Sequence, residues 1–323
     1  MASVNSKIKT VDYNNAQNRV NTVLGPTNVN SGYGQLVQSL PVSTGNKVSV
    51  DQFAALRFDI INAYRHIYGT SPSNVDAKTI SDKIRYSTST QPIDYWERVL
   101  INDIQPNKLD EPPISQRIST NHGARDYTLA WADTLQADFT VSFTSAENAR
   151  KFFNSGGTVR IESSRTGGSS SQQNTSWTSL LSTAGERVFG ANQPTTGLGT
   201  MNGGNFYRLT NVFQSWSSVT ASGPYSLNDW TIFAKSDVAN NSTGTATTVT
   251  FRIQWNDDHE AQGGPPAEGT VGVGTFGPDV VDGTLSYSVV TFEAFGALQP
   301  ASAGNFEVET PAVSLGSIAI PAP

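Results

Sequence analysis

Acidic side chains that could bind a cation are concentrated at one place in the chain, from Asp257 and Asp258 through His259 to Glu260. They follow Thr247–Trp255, an alternating segment that predicts a strand. Oxygen ligands of this kind suit calcium, but the loop spacing of an EF-hand is absent. We therefore interpret the cluster as a solvated turn at a strand end and keep calcium binding as the alternative.

Three histidines, His66, His122 and His259, could act as general bases beside a serine and an aspartate. Neither a G-x-S-x-G elbow nor an H-E-x-x-H pair accompanies them, so the sequence does not support hydrolysis by either route. His66 ends a predicted helix, where a partly charged imidazole would suit the helix dipole. A glycosidase-type carboxylate pair stays open as an alternative, because such pairs are distant in sequence.

Two further patterns could bind ligands. Gly272-x-Gly274-x-x-Gly277 matches the dinucleotide-binding pattern by letters, but prolines flank it and no helix start follows to hold a pyrophosphate. Trp216, Tyr225 and Trp230 could stack on sugar rings, although aromatics of a β domain lie more often in its core. We assign no catalytic, cofactor-binding or metal-binding residue and predict that the chain is not an enzyme.

The elements that would position a site are clearest from Phe139 to Arg165, which predicts strand, short helix, turn and strand. Thr144 and Glu147 have the spacing of a capping box at the helix start. The positive φ available to Gly156–Gly157 would end the helix. The apolar positions of the two strands and the helix are Phe139, Val141 and Phe143, then Ala149, Phe152 and Phe153, then Val159 and Ile161.

The N-terminal part predicts short amphipathic helices. A first apolar stripe ends at Gly25–Pro26, and a second helix is capped by Ser49 with Gln52 and ended by Gly69. Ala77–Arg85 and Asp94–Ile104 predict two more helices. The stripes of the first two contain Tyr13, Ala16, Val20 and Val23, then Phe53, Leu56, Ile60, Tyr64 and Ile67.

The remainder predicts a β domain and an extended arm. The Pro-rich run Pro106–Ile118 divides residues 1–119, a helical assembly region, from residues 120–298, a β domain expected to fold alone, and residues 299–323 form the arm. We expect an α+β chain with an antiparallel, jelly-roll-like β-sandwich. Further predicted elements are a loop at Ser169–Asn174, a helix at Trp177–Ser182 and strands at Phe206–Val212, Trp230–Lys235, Thr247–Trp255 and Leu285–Phe295.

The arm from Gln299 is rich in Pro, Ala and Ser and has few groups with which to build a core. Its apolar residues, Val313, Leu315, Ile318 and Ile320, could add an extended segment to a sheet edge of a neighbouring subunit. Folding back onto its own β domain is the alternative.

Composition excludes several classes of function. The net charge is −6 and no basic stripe is present, which disfavours nucleic-acid and anionic-membrane partners. The chain has no cysteine, hence no disulfide or thiolate site. The start of the chain lacks an apolar signal region, and no run approaches a membrane span, so we expect synthesis in the cytoplasm.

Three blocks resemble structural proteins of tailed bacteriophages, those of cyanobacteria especially. They are ENARKFFNSGGTVRIESSRTGG followed by NTSWTSLL, SGYGQ at Ser31–Gln35, and VDQFAALRFDIINAYRHIYG at Val50–Gly69. The resemblance implies a virion component of the neck, tail, baseplate or fibre apparatus. Such a protein would be a homo-oligomer that also contacts other virion proteins. A carbohydrate- or receptor-binding β-sandwich, a capsid decoration protein and a glycan hydrolase or lyase are the alternatives.

Overall fold

The computed structural model describes two connected units, one helical and one built of β-sheets. The described residues are 9–25, 33, 37–72, 99–105, 108, 117–191, 205–258, 280–294 and 308–321. Each unit has its own cluster of buried apolar side chains. The predicted helix at Ala77–Arg85 and most of the run Pro106–Ile118 lie outside these residues.

The helical unit contains α1 (Thr10–Leu24), α2 (Val50–Tyr68) and a π-helical turn at Val99–Ile104. The predicted capping box is confirmed, because Ser49 Oγ accepts from the Gln52 amide at 3.2 Å and Gln52 Oε1 accepts from the Ser49 amide at 2.8 Å. Gly69 ends α2 with a φ of +72°. The predicted stripe is buried in this unit, with Tyr64 and Ile67 partly so.

Among the described residues, the β unit has nine strands in two antiparallel sheets. The strands are β1 (Arg117–Tyr127), β2 (Leu135–Ser142), β3 (Thr158–Thr166), β4 (Arg187–Gly190), β5 (Gln214–Thr220), β6 (Asp229–Ser236), β7 (Thr248–Asn256), β8 (Thr284–Ala294) and β9 (Ala312–Leu315). One sheet has the order β1-β8-β3-β4 and the other the order β5-β6-β7-β2-β9.

The two sheets share one core. Phe139 of β2 stacks on Tyr287 of β8 at 6.2 Å between ring centroids, and Phe189 of β4 meets Phe251 of β7 edge-on at 4.9 Å. These contacts join residues of opposite sheets, so the predicted α+β sandwich is confirmed; the sheets do not establish the jelly-roll connectivity. β8 pairs with β1 on one side and β3 on the other, so this strand is internal to its sheet.

Short helices and turns lie between the strands in the chain. They are α3 (Ala146–Asn154), α4 (Gln172–Ala184), the single turn α5 (Asn205–Arg208) and a 3₁₀ turn at Gly223–Tyr225. Ala149, Phe152 and Phe153 of α3 are buried as predicted, and Phe153 stacks on Phe206 of α5 at 4.2 Å. The short helix therefore belongs to the core.

Local predictions are wrong at three places. Ser145, rather than Thr144, caps α3, with Ser145 Oγ accepting from the Asn148 amide at 3.1 Å. The segment predicted as a strand at Phe206–Val212 begins as a helical turn, because buried residues at 206, 207 and 209 do not alternate. α4 begins at Gln172, so Asn174 lies in a helix and not in a loop.

Strand β1 was not predicted, because most of its side chains are exposed and give no apolar alternation. It begins at Arg117, so its first three residues lie on the helical side of the division placed between residues 119 and 120. The division itself stays a prediction.

Candidate functional site

The C-terminal arm is docked along the edge of β2 of its own chain. Strand β9 pairs with β2 in antiparallel register, from Phe139 opposite Leu315 to Ser142 opposite Ala312. Farther along, Gln136 and Ala319 exchange two main-chain hydrogen bonds at 2.8 and 2.9 Å. The arm therefore folds back on its own β domain, which is the alternative that the sequence left open.

Close approach of the two main chains requires glycine at position 316. The Gly316 amide donates to the main-chain oxygen of Asp138 at 3.0 Å. A Cβ at this position would lie 2.3 Å from that oxygen, well inside van der Waals contact. On its other side the Gly316 oxygen accepts from the Tyr287 hydroxyl at 2.6 Å. Burial above all raises the pKa of this tyrosine to about 12, so it stays a donor at neutral pH.

A carboxylate holds the start of the arm. Glu309 accepts from the Thr144 amide at 3.0 Å, from the Thr144 hydroxyl at 2.7 Å and from Asn148 Nδ2 at 2.5 Å. These donors lie at the N-terminal end of α3, where a negative charge is also favoured by the helix dipole. Burial raises the pKa of Glu309, but the hydrogen bonds from Thr144 and Asn148 outweigh it and hold this pKa below its usual value.

Few side chains of the arm are fully buried. Val308 and Ile318 are buried, Val313 and Leu315 are partly buried, and Ile320 is 64% exposed. The arm is thus attached mainly by main-chain hydrogen bonds and by Glu309. Its side chains cover the sandwich without supplying much of its core.

A second contact region joins the helical unit to the β unit around His66 at the end of α2. The His66 ring stacks on Tyr207 of α5 with centroids 3.9 Å apart. His66 Nε2 lies 3.0 Å from the main-chain oxygen of Ser242, so this nitrogen carries the proton and donates. Asn154 of α3 donates to the His66 oxygen at 3.0 Å and accepts from the Tyr207 hydroxyl. We call His66, Asn154, Tyr207 and Ser242 the junction.

The electrostatics of the junction keep His66 neutral. Burial lowers the pKa of His66 to about 3, with the Ser242 hydrogen bond opposing and the Arg150 charge reinforcing this effect. The partly charged imidazole expected from the helix end is therefore wrong. Arg150 itself donates to the Gly244 oxygen at 2.9 Å. Gly244 has a φ of +68°, and a Cβ there would lie 2.6 Å from Arg150 Cγ.

The acidic cluster is used in packing where the structure describes it. Asp257 is buried and accepts from Gln173 and from Trp177 Nε1, the latter at 3.4 Å. Burial raises the pKa of Asp258, with Asp229 and Asp133 adding to it. Within the described ranges, no three His, Asp or Glu side chains are grouped to hold a metal ion. His259 and Glu260 lie outside those ranges, so calcium binding stays a hypothesis.

The other candidate residues are separated. His122 Nε2 lies 2.8 Å from Thr291 Oγ1, and burial lowers the pKa of this histidine. Trp216, Tyr225 and Trp230 are each at most 2% exposed, so none offers a face to a sugar. The glycine pattern from Gly272 to Gly277 lies outside the described residues.

Sequence reasoning missed most of the polar partners at both places. No sequence pattern marks the polar residues Asn154, Tyr207 and Glu309, because their hydrogen-bond partners lie 53 to 165 residues away in the chain. The apolar positions of the arm gave the only signal, since they predicted addition to a sheet edge.

Comparisons with protein-family models, with curated proteins and with solved structures found no match to this chain. In the part of the chain that the structure describes, no helix has both the length and the apolar character needed to cross a bilayer.

Proposed function

We propose that this chain is a structural component of a tailed-bacteriophage virion, in the neck, tail, baseplate or fibre apparatus. It works by self-assembly and by docking to other virion proteins rather than by catalysis. Decoration of the capsid is the alternative position in the particle. The three sequence blocks that resemble phage structural proteins motivate the assignment to a virion.

The docked arm is the observation that best supports an assembly role. A short segment extends a sheet through main-chain hydrogen bonds, which is a common way for one protein segment to bind another. The helical unit also exposes the apolar side chains of Val11, Leu40 and Phe58, by 55%, 69% and 42%. If they contact other subunits, this apolar area becomes buried on assembly.

The proposed partners are copies of the same chain and adjacent virion proteins. The negative net charge of −6 disfavours direct packing against DNA or anionic lipid. The proposed location is the mature virion, after synthesis in the host cytoplasm.

Immunogold labelling of purified particles tests this proposal. Antibody raised against the recombinant chain should label one position on tailed particles, and peptides of the chain should be recovered from particles purified on a density gradient. Particles that carry neither label nor peptides, while the infected lysate contains the chain, would contradict a virion role.

Carbohydrate binding is the second candidate, and a pocket favours it. The pocket, of about 340 Å³, lies between α4 and the Gly223–Tyr225 turn and is rich in hydroxyl groups, among them Thr175, Ser179, Thr183 and Ser222. Hydroxyl-lined pockets can bind sugars through hydrogen bonds, although the buried tryptophans give no stacking platform. Specific retention on a glycan array that Ser179→Trp abolishes and Ser164→Trp preserves would support this candidate. A glycan hydrolase or lyase would instead need measurable turnover of host surface polysaccharide.

A further inference from the structure

The arm covers the edge of β2 in this chain. In this chain, β9 and the bridge at Ala319 satisfy main-chain groups of β2 from Gln136 to Ser142. An uncovered edge of this length would be a template for pairing with other strands. The arm therefore occupies an edge at which another extended segment could also pair.

The site that the arm occupies is specific for its sequence. The Glu309 carboxylate fits the donors of Thr144 and Asn148, and only glycine fits at 316, where the chain passes close to Asp138. Ile318 is buried against the sandwich. Charge, shape and register together favour this segment over an arbitrary strand.

We propose that residues 308–321 are exchanged between copies, so that the arm of one chain pairs with β2 of a second copy in the same register. This inference rests on the proposed assembly function and names the partner and the surface. An arm from a second copy has the same sequence and makes the same contacts. Exchange then costs little beyond the entropy of association, as in domain swapping.

Two features of the chain permit the exchange. The main core remains when the arm leaves, because the described part of the arm supplies few buried apolar side chains, namely Val308, Pro311 and Ile318. Thirteen residues, 295–307, lie between Ala294 and Val308. The fourteen Cα–Cα steps between these two residues span at most about 45–50 Å at full extension, which is enough to reach a neighbouring subunit.

Engineered cysteines can test the exchange in the full chain, which has no cysteine of its own. Thr140 of β2 and Ser314 of β9 are direct cross-strand partners. The variants Thr140→Cys and Ser314→Cys are prepared separately, mixed at high concentration, and oxidised with copper phenanthroline. A disulfide between positions 140 and 314 can then form only between two chains.

A matched control uses Lys235→Cys mixed with Thr250→Cys, a cross-strand pair of β6 and β7, two strands that do not themselves pair with the arm. We expect the mixed arm variants to give a covalent dimer linked 140 to 314, severalfold above the control pair in peptide mapping. The double variant of Thr140 and Ser314 should close within one chain when dilute.

The exchange would be overturned if the dilute double variant formed the 140–314 disulfide within one chain while the mixture gave no more of this disulfide than the control pair gave of its own. Failure of this pair and of a second pair, Ser142→Cys with Ala312→Cys, to close in any arrangement would overturn it as well, since the edge would not hold the arm at all. Particle labelling is independent of these outcomes. Exchange without virion labelling would contradict the virion assignment alone.

Discussion

Asn154 Nδ2 donates to the main-chain oxygen of His66 at 3.0 Å, and both residues are buried. The bond joins the last residue of α3, in the β unit, to the final turn of α2, in the helical unit. Because Asn154 also accepts from Tyr207, one amide side chain connects three segments. The two units therefore meet through a specific polar contact and not through apolar surface alone.

The junction should make the free energy of unfolding depend on pH. Burial lowers the pKa of His66 in the folded chain to about 3, from a usual value of 6.5. Below about pH 6.5 the imidazole of His66 is protonated in the unfolded chain but stays neutral in the folded chain. The contribution of this group to the free energy of unfolding is therefore fully present above that pH and is lost as the pH falls toward 3. The slope from this one group is about 1.4 kcal/mol per pH unit.

Denaturant unfolding at several pH values between about 7.5 and 4 would measure this slope. His66→Phe keeps a ring to stack on Tyr207 and should give a flatter curve than the parent chain. His122→Gln is the comparison: the pKa of His122 is also lowered by burial, but by less than that of His66, so this variant should flatten the curve less than His66→Phe does. Parallel curves for the parent and His66→Phe would contradict the assignment.

The β unit should fold without the helical unit. Their apolar clusters are separate, so a fragment from Arg117 onward keeps all of β1 and the complete described core of the sandwich. We expect cooperative unfolding with a lower midpoint than the parent chain, since Tyr207 and Asn154 lose their cover. A molten or insoluble fragment would show that the two units form one folding domain.

Phe152→Asp should abolish folding of the β unit. Phe152 is fully buried, and its ring centroid lies 5.3 Å from that of Phe143 and 5.0 Å from that of Phe153. An unpaired charge there costs several kcal/mol, on the order of the whole stability of a domain. Leu129→Asp is the control, because Leu129 is 66% exposed. Thermal unfolding that is the same for both variants would place Phe152 outside the core.

Gly316→Ala should release the arm while the sandwich stays folded. A methyl group there would lie 2.3 Å from the main-chain oxygen of Asp138, and a backbone atom of a paired strand cannot easily move away. Hydrogen exchange should become faster at the β9 amides and stay slow in β7. Ser317→Ala is the control, since Ser317 is exposed. Unchanged protection of β9 in Gly316→Ala would refute the close approach.

Glu309→Gln should weaken attachment of the arm without unfolding the body. A neutral amide has only one oxygen acceptor for the three donors of Thr144 and Asn148. The pKa of Glu309 is lowered in the folded chain, so the stabilisation is present above its usual pKa of 4.5 and fades as the pH falls below it. Proteolysis of the arm should therefore accelerate in Glu309→Gln at neutral pH and in the parent chain only at acidic pH. Glu162→Gln, on the exposed face of β3, should behave like the parent.

The elements that could be predicted from the sequence are those whose apolar residues follow a regular period. Val249, Phe251, Ile253 and Trp255 alternate along β7 and are all buried, and Ser49 with Gln52 caps α2 as predicted. Strand β1 could not be predicted, because an exposed edge strand needs no alternation of apolar and polar residues. Thr144 is of a residue type that often caps the N-terminus of a helix, but its hydroxyl donates to Glu309 instead.

The candidate site could be predicted only in outline. The apolar residues Val313 and Leu315 predicted a segment that adds to a sheet, and the pairing with β2 confirms that form of contact. Which edge it joins depends on tertiary contacts. The main chain of Asp138 has to lie beside a glycine, Gly316, and the Thr144 hydroxyl has to lie within hydrogen-bond distance of Glu309. Neither contact produces a recognisable pattern in the sequence.

The burial of the tryptophans gives the protein an optical property of its own. Trp177, Trp216, Trp230 and Trp255 are each less than 2% exposed, and Trp131 is 5% exposed, all in the β unit. Their fluorescence should be blue-shifted and should report the hydration of the sandwich, while the described helical residues contain tyrosine but no tryptophan. Replacing Trp96, the remaining indole of the chain, by Phe would leave emission from the β unit alone. Partial loss of helical circular dichroism without a red shift would then separate melting of the helical unit from melting of the sandwich, because α3 and α4 would keep their signal.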